Sequence, residues 1–130
     1  MADQSSFVFD LNKCVGCMAC VVGCSIENGT DSQDNWRQVF TDNAIKHPEL
    51  PVFHFSLACN HCEQAPCKDN CPALAYTRDP NNGQIIHHAE ACIGCKYCTW
   101  ACPYDAPKYN PDKGIVEKCT FCNERLSDNK

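Results

Sequence analysis

Fourteen cysteines stand in four groups along a chain of 130 residues. Cys14, Cys17, Cys20 and Cys24 form the first, spaced C-x2-C-x2-C-x3-C. Cys59, Cys62, Cys67 and Cys71 form the second, the same pattern with two residues inserted between its second and third cysteines and with Pro72 following. Cys92, Cys95, Cys98 and Cys102, followed by Pro103, form the third, and Cys119 with Cys122 the fourth. Thiols this close suit a ligand knot around metal. A disulfide framework would need an oxidising compartment, and a small secreted chain would carry a signal peptide, of which Met1 to Phe9 shows no sign. A [4Fe–4S] cube takes four thiolates, one per iron. Cysteines at i, i+3 and i+6 wrap three corners from one side and leave the fourth to a remote cysteine.

The third group matches the bacterial ferredoxin run C-x2-C-x2-C-x3-C-P at every position. In two-cluster ferredoxins the last cysteine of each run ligates the other cluster. Applied to the two groups that end in Cys-Pro, that rule predicts one cluster on Cys59, Cys62, Cys67 and Cys102, and a second on Cys92, Cys95, Cys98 and Cys71. Gly16 and Gly94 are expected at positive φ, bringing backbone amides close to sulfur. In the second group Asn60 is expected to take that left-handed role. His61 is expected near a cluster or at the surface without being a ligand. Ser25 stands where the other groups have proline. Paired C-x2-C motifs also build structural zinc sites, the rival from another class, but zinc has no use for a third cysteine at i+6 or a fourth followed by proline.

Short apolar segments precede each group and predict strands: Phe7-Val8-Phe9, Val52 to Leu57, Ile85-Ile86 and Ile115-Val116. Met18 to Glu27 predicts a helix closed by Asn28-Gly29. Hairpin turns are expected at residues 79–83 and 110–114, both rich in Asn, Asp, Pro and Gly. Residues 28–51 read as an insertion in which Trp36 to Phe40 forms a strand, with Trp36 and Arg37 packed in the core or exposed to a partner. Trp100, Tyr97 and Tyr104 are expected to shield a cluster from water or to serve core packing alone. The net charge of −5 and the absence of a basic patch give nucleic-acid binding no support. No apolar run approaches the roughly 18 residues of a membrane span. Without its cysteines the chain is short of core material, so inorganic centres are expected to help hold it.

Cys-Asn-His-Cys at 59–62, Cys-Ile-Gly-Cys-Lys-Tyr-Cys at 92–98, Ala-Cys-Pro-Tyr at 101–104 and Lys-Cys-Thr-Phe-Cys at 118–122 resemble the electron-transfer iron–sulfur B subunits of the dimethyl sulfoxide reductase and molybdopterin oxidoreductase family. The resemblance covers nearly the whole chain. It implies an α+β, ferredoxin-like fold of two nested, pseudo-symmetric two-cluster modules, with residues 52–111 as the inner module and 1–51 with 112–130 as the outer one. It further implies a third cluster on Cys14, Cys17 and Cys20, and a fourth on Cys119, Cys122 and Cys24. Each lacks one ligand, since four cubes need sixteen thiolates and fourteen are present. Family members continue the fourth group with two more cysteines, so the expectation is a chain cut short at Lys130, ahead of ligands from a partner or smaller outer clusters. The implied role is electron relay, without bond chemistry of its own, between a molybdopterin catalytic subunit and a quinone-linked membrane anchor in anaerobic respiration. Subunits of this family occur in the cytoplasm or are exported alongside a signal-bearing partner; the expected location is cytoplasmic, with the membrane reached through partners. A free-standing polyferredoxin is the alternative within the same chemistry.

Overall fold

A computed structural model describes residues 3–31 and 33–128. Among these residues three antiparallel hairpins and four short α-helices position the cysteines. β1 (Gln38–Asp42) pairs with β2 (Phe53–Leu57), β3 (Tyr76–Arg78) with β4 (Ile85–His87), and β5 (Lys108–Asn110) with β6 (Ile115–Glu117). The helices are α1 (Ala19–Asn28), α2 (Pro66–Asp69), α3 (Tyr97–Ala101) and α4 (Asn123–Ser127). Among the described residues no helix is long and apolar enough to cross a membrane.

Both expected turns close hairpins through Asx chemistry. Asp79 Oδ1 accepts the Asn81 amide at 2.8 Å and Asn82 Oδ1 accepts that of Gln84 at 3.0 Å. Asn110 Oδ1 accepts the amides of Asp112 and Lys113 at 3.1 and 3.2 Å. Helix lengths follow the residue after the last cysteine. Pro72 and Pro103 push the preceding cysteine out of helical geometry, and Cys102 indeed caps α3 in an extended conformation. Ser25 imposes no such limit, so α1 runs on to Asn28 and stops at Gly29, whose amide bonds Ser25 O from a left-handed conformation.

Two expectations shift. Phe7–Phe9 joins no strand: its rings pack instead, Phe7 at 4.4 Å from Phe121 and Phe9 at 5.5 Å from Phe55. The strand expected at Trp36 to Phe40 begins two residues later, at Gln38, and pairs with β2, so residues 28–51 supply half of the first hairpin. Trp36 lies ahead of it, packed with Ala58, Ala106, Cys59, Cys119 and Cys102. The other apolar cluster joins Ala65, Tyr76, Ile85 and Val116 to Cys67 and Cys98.

Glycine chemistry sets a local prediction. A Cβ on Gly94, at φ +70°, would lie 2.3 Å from the carbonyl oxygen of Gly114 in the β5–β6 turn. Gly94→Ala is expected to cost about 2–4 kcal/mol in denaturant unfolding of the metal-loaded protein.

Candidate metal centres

The cysteine loops share a backbone signature. The second residue after the first cysteine of each group has positive φ: Gly16 at 68°, His61 at 46°, Gly94 at 70° and Phe121 at 58°. The left-handed residue of the second group is therefore His61, and Asn60 does not take that role. This geometry turns the His61 and Phe121 amides back onto the sulfurs of Cys59 and Cys119, both at 3.4 Å. A second repeat follows the two Cys-Pro dipeptides, where Leu74 (53°) and Asp105 (52°) each stand three residues past the cysteine. The next amide after Leu74, that of Ala75, donates to Cys71 Sγ at 3.4 Å, and Val116 of β6 donates to Cys92 Sγ at 3.5 Å. Donors of this kind are what metal-bound thiolates require of their surroundings.

α2 packs on α3, and the two carry Cys67 and Cys98 into the interior, both buried. Three cavities gather the cysteines. One is lined by Cys59, Cys62, Cys67 and Cys102 with Pro66, Pro103 and Lys118. Another is lined by Cys71, Cys92, Cys95 and Cys98 with Tyr76 and Val116. The last, 380 Å³ in volume, is lined by Cys20, Cys24, Cys119 and Cys122. Cys14 and Cys17 lie outside all three, Cys14 half-buried and Cys17 exposed. On the outer side the Arg125 guanidinium of α4 grips the Glu27 carboxylate of α1 at 2.7 and 2.9 Å, tying the fourth group to the first.

No disulfide joins any of the fourteen cysteines. Burial, followed by the neighbouring Cys59, pushes Cys67 up to about 11. Burial likewise raises Cys62, Cys98 and Cys119, and Cys24 despite the opposing Arg37 charge. Such sites give up their protons only to something that takes the charge, and metal binding does so. Among the described residues no three His, Cys, Asp or Glu side chains converge on a single ion. A cube spreads its thiolates over four irons and does not ask for that convergence. Four soft sulfur donors per cavity, carboxylate-free walls in the first two and amides aimed at sulfur fit an iron–sulfur cluster.

His61 is 1% exposed; its Nδ1 accepts the Ile85 amide at 3.1 Å and its ring stands edge-on to Phe121. Burial first, then the Lys118 charge, pushes its pKa down to about 3 from 6.5. Between those values the unfolded state holds a proton that the folded state does not. The stability His61 contributes is therefore complete above pH 6.5 and is lost as pH falls toward about 3, at up to about 1.4 kcal/mol per unit. His61→Gln keeps an acceptor for Ile85 and is expected to remove about one proton from the slope of stability against pH in that window, measured by denaturation at fixed ionic strength.

Residues the spacing could not single out complete the sites. Arg78 holds the inserted loop of the second group, donating to Cys62 O at 2.5 Å, to Glu63 O, and to Gly83 O at 2.8 Å. Tyr76 is buried, and its hydroxyl lacks a partner at strict hydrogen-bond geometry. Burial, then the adjacent Cys98 thiol, raises its pKa far above the ordinary phenol value. The expected shields behave differently: Trp100 is 74% exposed and Tyr97 50%, because α3 turns Cys98 inward and presents these rings to solvent. Tyr104, half-exposed, does line the Cys59 cavity.

Crosswise thiol quartets on short helices and hairpins define an iron–sulfur protein of the ferredoxin-like class. Residues 50–130 match the 4Fe-4S dicluster domain family, and the protein belongs to that family. It is 37% identical to the B subunit of sulfite dehydrogenase from Allochromatium vinosum, over 98% of this chain and 59% of that one. It is 33% identical to the B subunit of anaerobic dimethyl sulfoxide reductase from Escherichia coli, over 100% of this chain and 67% of the relative. It is 36% identical to the B subunit of tetrathionate reductase from Salmonella typhimurium, over 93% and 49% respectively. The chain thus spans about half to two thirds of the length of these curated relatives.

Proposed function

We propose that the chain relays single electrons through [4Fe–4S] clusters, between a molybdopterin-containing catalytic subunit and a membrane anchor that exchanges electrons with quinone, on the cytoplasmic side. The observation that carries this reading is the crossing of ligands, each inner cavity being lined by three cysteines of one group and the last cysteine of the other. Cys59, Cys62, Cys67 and Cys102 hold one cluster, and Cys92, Cys95, Cys98 and Cys71 the second, within an inner module of residues 52–111. The outer module, residues 1–51 and 112–130, sets Cys14, Cys17 and Cys20 at a third site and Cys119, Cys122 and Cys24 at a fourth. Completing both outer sites takes two thiolates beyond the fourteen present.

Bound there, the clusters supply reversible one-electron chemistry. The protein's own part is to seat the sulfurs, aim the amides of His61, Ala75, Val116 and Phe121 at them, and exclude water from Cys59, Cys67, Cys98 and Cys119, all buried. No bond chemistry on a substrate falls to this chain. Relatives named as the B subunits of sulfite, sulfoxide and tetrathionate enzymes support a catalytic partner.

A tagged chain isolated anaerobically from its own cells is expected to bring a molybdopterin-containing protein with it in fixed ratio. A chain that purifies alone, fully loaded, and reduces several unrelated acceptors would instead mark a free polyferredoxin.

A further inference from the structure

Lys118 is 3% exposed. Its ammonium donates to Ile85 O at 2.5 Å and to Cys119 O at 2.9 Å, and among the described residues it enters no ion pair. The other lysines that form ion pairs do so through partly or largely exposed side chains or carboxylates at the surface. Two carbonyl dipoles solvate a buried cation without neutralising it, and an uncompensated charge in a protein interior is strongly unfavourable. A fold that retains one there places an anion beside it.

No carboxylate fills that role on the side of the Cys59, Cys62, Cys67 and Cys102 cavity, whose wall Lys118 forms together with those thiols, Ile85 and three prolines. On its other side lies a cavity lined by Cys119 and Cys122, where Glu27 and Glu124 also stand, Glu27 being gripped by Arg125. The charge of Lys118 is felt at both sites: it opposes the rise in the Cys67 and Cys119 thiols. Four thiolates around a [4Fe–4S] core carry net negative charge, and reduction adds one more. The anion missing from the apolar, carboxylate-free cavity is the cluster itself.

Building on the cluster assignment of the proposed function, we propose that Lys118 is the internal counter-ion of the cluster on Cys59, Cys62, Cys67 and Cys102 and raises its reduction potential. A fixed cation interacts more favourably with the reduced, more negative state than with the oxidised one, and does so most strongly where water is excluded.

The test is a redox titration of the anaerobically purified, metal-loaded full chain, followed by EPR, with iron and sulfide counted in each variant. Lys118→Gln keeps a donor for the carbonyls and removes the charge. It is expected to lower the reduction equilibrium constant of one cluster at least tenfold, about 59 mV for one electron, with iron content unchanged. Lys118→Arg is expected to keep the wild-type potential. Unchanged potentials in a fully loaded Lys118→Gln chain overturn the inference and leave the cluster assignment standing. If Lys118→Gln loses one cluster's iron, restoration of that iron in Lys118→Arg supports the charge role, and failure of Arg to restore it overturns it. A wild-type chain loaded with zinc in place of iron overturns both readings.

Discussion

Combining Cys62→Ala with Cys102→Ala is expected to remove no more iron than either change alone, about four atoms per chain, whereas combining Cys95→Ala with Cys102→Ala is expected to remove about eight. The contrast follows from the crossing of the inner groups. Cys102 ends the third group in sequence, yet it lines the cavity of Cys59, Cys62 and Cys67 in space. Cys71 makes the reciprocal move to Cys92, Cys95 and Cys98. Part of the cause is local: the Cys102-Pro103 dipeptide ends α3 with Cys102 extended, and α2 stops at Asp69, ahead of Cys71. Two ligands of one cluster fail together, and ligands of two clusters fail separately. Iron and sulfide analysis with EPR of the reduced proteins distinguishes the cases. If each group instead held its own cluster, Cys95→Ala with Cys102→Ala would remove about four irons and Cys62→Ala with Cys102→Ala about eight.

Stripping the metal is expected to abolish the cooperative fold rather than loosen it. Four of the twelve buried hydrophobic residues are cysteines: Cys59, Cys67, Cys98 and Cys119. Half of the remainder are alanines, and only Val21, Tyr76, Ile85 and Val116 are larger. Among the described residues no sheet exceeds two strands, and an isolated hairpin is marginal in water. α2, α3 and α4 span four, five and five residues, far below what an unsupported helix needs. Without metal, the buried thiols lose the bonds that join one hairpin to the next, and metal-binding free energy here is folding free energy. Oxidative removal of iron with a chelator should eliminate the thermal unfolding transition seen by circular dichroism, and reconstitution with iron and sulfide should restore it. An iron-free chain that unfolds cooperatively at the wild-type midpoint would show that the hairpins suffice by themselves.

What the sequence made legible was whatever is written in local chemistry. The cysteine spacings anticipated which thiols share the two inner cavities, Asn, Asp and Gly located two turns, and Gly29 located the end of α1. Harder to read was everything decided by distant packing. Phe7 to Phe9 has strand composition, but its rings are claimed by Phe121 and Phe55 from elsewhere in the chain. Composition favoured Asn60 for positive φ, yet the loop geometry fixes the position, and His61 occupies it. Trp100 is apolar and close to Cys98 in sequence, but one face of a helix barely longer than a turn cannot bury both. Arg78 and Tyr76 carry no motif, and Lys118 opens one without its role being written there. Their roles come from the carbonyls and sulfurs that the fold brings around them.

Iron and acid-labile sulfide counts with Mössbauer spectra of the anaerobically isolated chain bear most directly on the central claim. At least about eight irons and eight sulfides per chain, in cubes, are expected for the self-sufficient inner pair. A colourless chain holding zinc on the same thiols would contradict it.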